Sequence, residues 1–289
     1  MSSAPGLAIA TGALADAGLK ATGLLAAAWL VNRVGHRWTT AAQRHVVWAA
    51  TLSTLPLVWV AAAVRGPAVA VDAPAWLGVW AVGVVLSAVG PVRGWLTLRR
   101  LRAGAVPAEA LPGVGYAHNL DGPITWGVLR PHILLPASAL TWTAAEREAA
   151  LLHERAHVAR RDWGVHMWAW CVEALFWFHP LVWHARASLV AEAEHAADDA
   201  VLAAGVRASD YATLLLTLGR PSRSRVALGM SRSLLGPRIR AVLEPRPRTT
   251  TRAGAVLLAC LFVAAAPALV GPAPLWTSTA SVTECKPAP

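Results

Sequence analysis

Charge and cysteine are both scarce in this sequence. Of its 289 residues 15% are charged, against about a quarter in soluble domains, while 56% are hydrophobic and the mean hydropathy is +0.46. Three cysteines cannot form a fully paired disulfide framework, and none has a C-x-x-C neighbour, so neither disulfide stapling nor a cysteine-rich metal site is expected. Phenylalanine and tyrosine are also few, at 3 and 2, beside 15 tryptophans. This composition predicts a membrane protein.

Four long apolar runs predict membrane spans. Residues 7–31 contain two charged side chains, and residues 46–64, 75–92 and 253–270 contain none. Each run is long enough to cross the hydrocarbon core as a helix. We therefore expect three transmembrane helices with short loops in residues 1–92, and a fourth transmembrane helix with a short external tail in residues 253–289.

Positive charge is concentrated at particular ends of these runs. The 26 Lys and Arg exceed the 16 Asp and Glu, but they lie largely in loops beside apolar runs, so we expect membrane orientation and not direct nucleic-acid binding. Lys20, Arg65 and Lys286 are the basic residues on the predicted outer side. The positive-inside rule places both termini outside and residues 93–252 in the cytoplasm. The arginines at the inner ends are Arg33, Arg37, Arg44, Arg93, Arg99, Arg100, Arg102, Arg246, Arg248 and Arg252.

A stretch of strong helix formers carries the pattern H-E-x-x-H. Thr143 and Glu146 make the S/T-x-x-E capping box that begins a helix. Residues four apart share one helix face, so His153 and His157 can hold one zinc ion together. Glu154 lies about 100° round the helix from His153 and can act as general base towards an attacking water.

A second predicted helix, closed by Gly205, supplies a third ligand. Glu194 and Asp198 are four apart, so Glu194 can complete the ligand set while Asp198 accepts a hydrogen bond from a ligand imidazole. Two His and one Glu leave the fourth position of zinc open, which makes the site catalytic in type. Spacing leaves the rival donors open, and these are Glu192 and the pair His195 and Asp199.

The segment over residues 113–136 lies between the third span and the zinc helix. Its Gly, Pro and Asn-Leu-Asp-Gly punctuate short runs rich in Ile, Val, Tyr and Trp, which predicts two or three short strands. An edge strand beside the zinc helix can bind a peptide substrate by pairing with it. A sheet that merely covers the helix is the alternative.

The tryptophan-rich run over residues 163–183 is apolar enough to resemble another span. A single crossing would leave Glu194 about 30 Å from the two histidines, so we expect this run to pack within the catalytic domain or to lie in the interface. Asp162 is expected to be an N-cap and not a ligand. After a helix predicted over residues 210–220, the basic stretch 221–252 is expected to be a solvated linker, with a dock for an acidic partner as the alternative.

Five motifs, in this order, resemble peptidase family M56, the membrane-integral metallopeptidases that include the β-lactam-sensing transducers. The resemblance implies a gluzincin-type site with His153 and His157 as ligands, Glu154 as base and Glu194 as the remaining ligand. Ala197 departs from the cysteine that commonly precedes the aspartate. The motifs are RHVVW from Arg44, DGPITWGVLRPHILLP from Asp121, HERAHVARRDW from His153, HPLVW from His179 and EHAADDAVL from Glu194. Because the sensor transducers carry a penicillin-binding domain after the fourth span, and this sequence ends 19 residues beyond Val270, no direct β-lactam binding is expected.

The expected fold is mainly α, a four-helix transmembrane protein with a cytoplasmic gluzincin-type zinc metalloprotease domain that contains a small β-sheet. The expected function is cleavage of a cytoplasmic protein, which the resemblance to family M56 implies is a transcriptional repressor in a signalling pathway. One alternative is a membrane quality-control protease of family M48, which shares H-E-x-x-H and E-x-x-x-D. The other is a catalytically silent signalling scaffold. The three spans before the catalytic region and the GPITWGVLRP segment favour the first.

Overall fold

A computed structural model describes residues 5–36, 38–65, 74–108, 111–219 and 231–244. Within these ranges the chain is mainly helical with one small mixed sheet, as predicted. In chain order the elements are α1 (Pro5–Gly35), α2 (Ala41–Arg65), α3 (Pro74–Ala103), β1 (Val106–Pro107), β2 (Val114–Ala117), β3 (Ile124–Trp126), β4 (His132–Pro136), a 3-10 helix (Ala137–Thr141), α4 (Ala144–Arg160), α5 (Asp162–Leu175), α6 (Pro180–Ala203), α7 (Ala208–Leu218) and α8 (Ser231–Leu243).

Each of the first three predicted spans lies within a single helix, α1, α2 or α3. Among the described residues, one helical segment, Gly78–Ala103, is long and apolar enough to cross a membrane by length and composition. The prediction of four transmembrane helices is therefore not confirmed by the described part of the chain. The fourth predicted span, over residues 253–270, lies outside the described residues.

The largest core cluster joins α1 and α2 to α5 and α6. Small residues on α1, such as Ala21 and Ala28, are fully buried and let the neighbouring helices approach closely. Leu52 and Leu55 of α2 and Leu189 of α6 fill the space between them. The helix that carries Glu194 is thus packed directly against the first two predicted spans.

The tryptophan-rich run does not form one continuous helix. α5 ends at Leu175, and α6 begins at Pro180, a residue suited to a first helical position because its missing N–H needs no partner there. The turn between them packs on α3, where Trp80 Nε1 donates to the carbonyl of Leu175 at 2.9 Å. A Cβ at Gly83 would lie 2.1 Å from the Trp177 ring, so only glycine leaves room for that indole. The run therefore packs as a helical hairpin within the described fold.

The sheet has the strand order β1-β2-β4-β3, so β3 is an edge strand within the described residues. β2 and β4 are parallel, whereas β3 pairs antiparallel with β4 through Ile124 opposite Leu134 and Trp126 opposite His132. Three of the four strands fall in the segment where two or three were predicted. Gly127 follows β3 with φ +100°, and a Cβ there would lie 2.6 Å from the carbonyl oxygen of Arg130, so the turn requires glycine.

The helices beyond the sheet carry the candidate site. α4 begins at the predicted capping box, in which the Thr143 hydroxyl accepts from the Glu146 N–H and the Glu146 carboxylate accepts from the Thr143 N–H. Gly205 follows α6 in the left-handed region, at φ +92°, as predicted. The prediction of a solvated linker is wrong for residues 231–243. These residues form α8, because Leu235, Ile239 and Val242 recur at helical spacing and pack against α7.

Candidate metal centre

His153 and His157 point their Nε2 atoms towards each other from one face of α4. The two atoms are 3.2 Å apart, and both rings are largely buried. Glu194 approaches from α6, with Oε2 3.6 Å from His153 Nε2 and Oε1 3.6 Å from His157 Nε2. The three candidate ligand atoms all lie within 4.8 Å of one another. The helical spacing of the sequence thus produces one convergent donor set.

This donor set fits a metal ion. Ligand atoms about 2.0–2.1 Å from a tetrahedral zinc ion lie roughly 3.3–3.4 Å from one another. The two Nε2 atoms are 3.2 Å apart, and each Nε2 is 3.6 Å from a carboxylate oxygen of Glu194, so these separations are close to this value. Two imidazoles and one carboxylate also leave one tetrahedral position for a reactant.

The second nitrogen of each imidazole, Nδ1, is hydrogen-bonded to an oxygen. His157 Nδ1 lies 2.6 Å from Asp162 Oδ2. His153 Nδ1 lies 2.9 Å from the Tyr211 hydroxyl and 3.2 Å from Asp198 Oδ1. With Nδ1–H donating in both rings, each Nε2 faces the centre and can offer it a lone pair once Nε2 carries no proton, as a metal ligand must.

Glu154 lies beside the donor set and is 6% exposed. Its Oε2 accepts a hydrogen bond of 2.5 Å from the hydroxyl of Thr125, which belongs to the edge strand β3. The predicted general base, which follows His153 on α4, is therefore hydrogen-bonded to a strand whose outer edge is unpaired among the described residues.

The family described as BlaR1 peptidase M56 matches residues 68–239, which include all the residues of this centre and more than half of the chain. The chain belongs to peptidase family M56. Membership implies metallopeptidase activity and therefore a metal ion. Among the described residues of this M56 peptidase, His153, His157 and Glu194 form the group of side chains that could hold the ion.

Curated relatives share shorter segments with this M56 peptidase. Regulatory protein BlaR1 of Bacillus licheniformis is 37% identical over 83 residues, which are 29% of this chain and 14% of that protein. The methicillin resistance mecR1 proteins of Staphylococcus aureus and Staphylococcus epidermidis are 28% identical over 90 residues, which are 31% of this chain and 15% of each relative. The aligned segments are thus a small share of each relative's length.

The prediction that Asp162 is an N-cap is wrong in this M56 peptidase. The N-cap of α5 is Arg161, which makes no side-chain cap, and Asp162 is the first helical residue. The Asp162 side chain is 2% exposed, and its carboxylate accepts from His157 and from Arg160 Nη2, which is 2.5 Å away. Arg160 Nη2 also donates to the carbonyl of Ala193 on α6. Burial raises the pKa of Asp162, but these contacts outweigh burial and hold it below its usual range. In the sequence, the position of this Asp five residues after the second histidine was the feature that could have indicated its contact with His157.

Two further residues of the centre were not anticipated from the sequence. Tyr211 of α7 donates to Asp198 Oδ1 at 2.7 Å and is 2% exposed. Arg238 of α8 donates to Asp198 and to Glu194. Tyr211 is the polar residue on an otherwise apolar helix face, and this pattern could have indicated a buried polar contact. No sequence feature distinguished Arg238, because it lies in a stretch with many arginines.

The carboxylates of Glu194 and Asp198 are ionised. Burial raises the pKa of Glu194 and of Asp198, but the Arg238 guanidinium and the contacts with His153 outweigh burial and hold both well below the usual range. Burial lowers the pKa of His153, but hydrogen bonds with Asp198 and Glu194 raise it to about 9. A metal ion that binds at neutral pH must therefore displace a proton from His153.

The rival donors do not join the described donor set. Glu192 accepts from Arg44 Nε and Nη2, both at 2.8 Å, so its carboxylate is paired with the first turn of α2. His195 and Asp199 are not members of the convergent group among the described residues. Helical rotation explains this. Glu192, His195 and Asp199 lie two, one and five positions from Glu194, and none of these spacings puts two side chains on the same helix face.

Proposed function

We propose that this M56 peptidase is a membrane-embedded, zinc-dependent endopeptidase of the gluzincin type that cleaves a cytoplasmic protein. The convergence of His153, His157 and Glu194 beside Glu154 is the observation that carries this proposal. An imidazole-rich donor set with one open tetrahedral position suits zinc. Bound zinc would supply the Lewis acid that polarises the scissile carbonyl and favours attack by water.

Each residue around the zinc site has a separate role in the proposal. His153, His157 and Glu194 hold the metal ion, and Glu154 takes the proton of the attacking water. Asp162 fixes His157 by accepting from its Nδ1–H. Asp198 fixes His153 from 3.2 Å away and through the Tyr211 hydroxyl, which accepts from the His153 Nδ1–H and donates to Asp198. These contacts keep the Nε2 lone pairs directed at one point, so little reorganisation is needed when the metal binds.

The position of β3 supports a peptide substrate. A peptide that pairs with the outer edge of β3 would run past Glu154, because the Thr125 side chain of this strand already touches that carboxylate. Backbone hydrogen bonds to an edge strand supply affinity for many sequences. We propose that substrate proteins bind in this way, as an added strand.

We propose that residues 93–252 are cytoplasmic, with α8 as part of the zinc domain. We also propose that both termini are outside and that the bilayer surrounds α1, α2, α3 and the predicted fourth span. The arginine-rich inner ends support this orientation. So does the position of Arg44, which joins the first turn of α2 to Glu192 near the zinc site. The names of the relatives, a regulatory protein and resistance proteins, support a signalling role. We propose a transcriptional repressor as the substrate. We expect no direct binding of nucleic acid or of β-lactams.

The substitution Glu154→Gln tests the enzymatic part of the proposal. The amide cannot accept the proton of water, so cleavage should fall by ~10² to 10⁴-fold or more while bound zinc is retained. Cellular proteins should be compared between cells that carry the native chain and cells that carry the variant. The exposed Glu148→Gln on the same helix is the matched control and should cleave normally. Cleavage by Glu154→Gln within a few-fold of native would contradict the assignment.

Cysteine labelling tests the orientation. In a cysteine-free background, single cysteines at Ala144, which begins α4, and at Ala204, which follows α6, should resist a membrane-impermeant reagent in intact cells, since the proposal places both positions in the cytoplasm. A cysteine introduced within residues 66–73, which join the second and third predicted spans, should be labelled. Labelling at positions 144 and 204 without labelling within residues 66–73 would contradict the proposed orientation.

A further inference from the structure

Arg238 reaches the metal centre from α8, the last described helix. Its Nε lies 2.9 Å from Asp198 Oδ2, and its Nη2 lies 2.7 Å from Asp198 Oδ1. Its Nη1 lies 2.7 Å from Glu194 Oε2, and its Nη2 is 3.5 Å from His153 Nε2. One guanidinium thus joins the proposed zinc-ligating carboxylate to the carboxylate that orients a zinc-ligating histidine.

This contact is made away from water. The side chains of Arg238 and Asp198 are 12% and 1% exposed, and that of Glu194 is 24% exposed. Buried ions are tolerated when their hydrogen bonds are complete, and the planar guanidinium is the side chain that can serve two carboxylates at once. A lysine would place one point charge there and could not reproduce the fork.

The contact also limits how Glu194 can orient. With Oε2 held by Arg238, Oε1 is directed towards His157 Nε2, 3.6 Å away. Without that restraint, a partly exposed glutamate can rotate to other staggered conformations. Metal-ligating carboxylates are generally hydrogen-bonded in this way, and loss of such a partner typically weakens metal binding by about 10 to 100-fold.

We propose that Arg238 is a positioning residue of the metal centre, and that docking of α8 completes the site. α8 is held on α7 by Leu235, Ile239 and Val242, and Val242 is fully buried. The docked helix brings the guanidinium between Glu194 and Asp198. Metal affinity therefore depends on a helix outside the two that supply the ligands. The inference rests on the proposed metal site.

Cobalt binding to the purified full-length chain in detergent tests the role of Arg238. Co²⁺ absorbs visible light in a way that reports its coordination geometry, and competition with a chelator gives its affinity without any assay of cleavage. Arg238→Gln should bind Co²⁺ about 10 to 100-fold more weakly and change its spectrum. Arg238→Lys should recover only part of the affinity. The exposed Arg240→Gln on the same helix should match the native chain in both measurements.

A second variant tests α8 docking with Arg238 in place, and it serves also if Arg238→Gln does not fold. Val242→Ala should weaken Co²⁺ binding several-fold, whereas the exposed Leu216→Ala on α7 should leave it unchanged. Unchanged or tighter binding by a folded Arg238→Gln chain would overturn the positioning role, and unchanged binding by Val242→Ala would overturn the role of docking. Failure of the native chain to bind Co²⁺ would instead overturn the proposed metal site.

Discussion

Replacing Tyr211 with Phe removes a single hydroxyl, which lies between His153 and Asp198. That hydroxyl donates to Asp198 Oδ1 at 2.7 Å and accepts from His153 Nδ1 at 2.9 Å. After the substitution Asp198 still has both hydrogen bonds from Arg238, and His153 Nδ1 still lies 3.2 Å from Asp198 Oδ1. No buried ion is left without a partner, so the loss should be close to that of one hydrogen bond to a charged group.

The expected magnitude follows from that count. One hydrogen bond to a charged group contributes about 1.5–3 kcal/mol, and the lower end applies because the partners remain bonded. At about 2–4 °C per kcal/mol for a domain of 150–250 residues, Tm of the metal-free Tyr211→Phe chain should fall by roughly 3–6 °C. Zinc should bind less than about tenfold more weakly, whereas Asp198→Asn, which removes an ionised acceptor, should cost about 10 to 100-fold.

Thermal unfolding of the metal-free chain and chelator competition for zinc measure these two effects separately. The other tyrosine of the sequence, Tyr116 on β2, belongs to a different core cluster, so Tyr116→Phe is the matched control and should leave zinc affinity unchanged. If Tyr211→Phe weakened zinc binding as much as Asp198→Asn, the hydroxyl and not the carboxylate would orient His153. If it changed neither quantity, the hydrogen-bond chain would be refuted.

Three further predictions concern other contacts of the site. Thr125→Val removes the hydrogen bond to Glu154, so peptide cleavage should slow at unchanged zinc content and Thr125→Ser should restore it; equal rates in all three chains would contradict this role of the strand. Glu192→Gln leaves the buried Arg44 without its ion pair and should lower the free energy of unfolding by about 3 kcal/mol without changing zinc content; loss of zinc would make Glu192 a ligand. Because the pKa of metal-free His153 is raised to about 9, its proton should stabilise the metal-free fold fully below about pH 6.5 and be lost as the pH rises through 9. Zinc affinity should therefore rise about tenfold per pH unit below pH 9, and calorimetry in buffers of different ionisation enthalpy should detect the released proton; a pH-independent affinity would contradict that state of His153.

Helical spacing predicted which side chains share a helix face, but it left Glu192 and the pair His195 and Asp199 open as rivals of Glu194, and the family resemblance was needed to choose among them. His153 and His157 are four apart on α4, and Glu194 and Asp198 are four apart on α6, so each pair shares a face in any helix. The capping box at Thr143 was equally local. These features depend on neighbours within one turn of the chain, which a sequence records directly.

The partners supplied by other helices could not be predicted in this way. Asp162, Tyr211 and Arg238 reach the site from α5, α7 and α8, and their positions depend on how those helices pack. α8 was also hidden by Gly236 and Pro237, a pair that usually marks a turn. Its apolar residues at helical spacing, which pack on α7, outweigh the intrinsic cost of that pair.

Zinc content of the purified full-length chain and of three variants tests the central claim most directly. The native chain should hold one zinc ion, and Glu154→Gln should hold the same amount because the base is not a ligand. Glu194→Ala should lose most of its zinc, while Glu192→Ala should keep it, since Glu192 is paired with Arg44. Zinc retained by Glu194→Ala but lost by Glu192→Ala, or a native chain without zinc, would contradict the assignment of His153, His157 and Glu194 as the metal site.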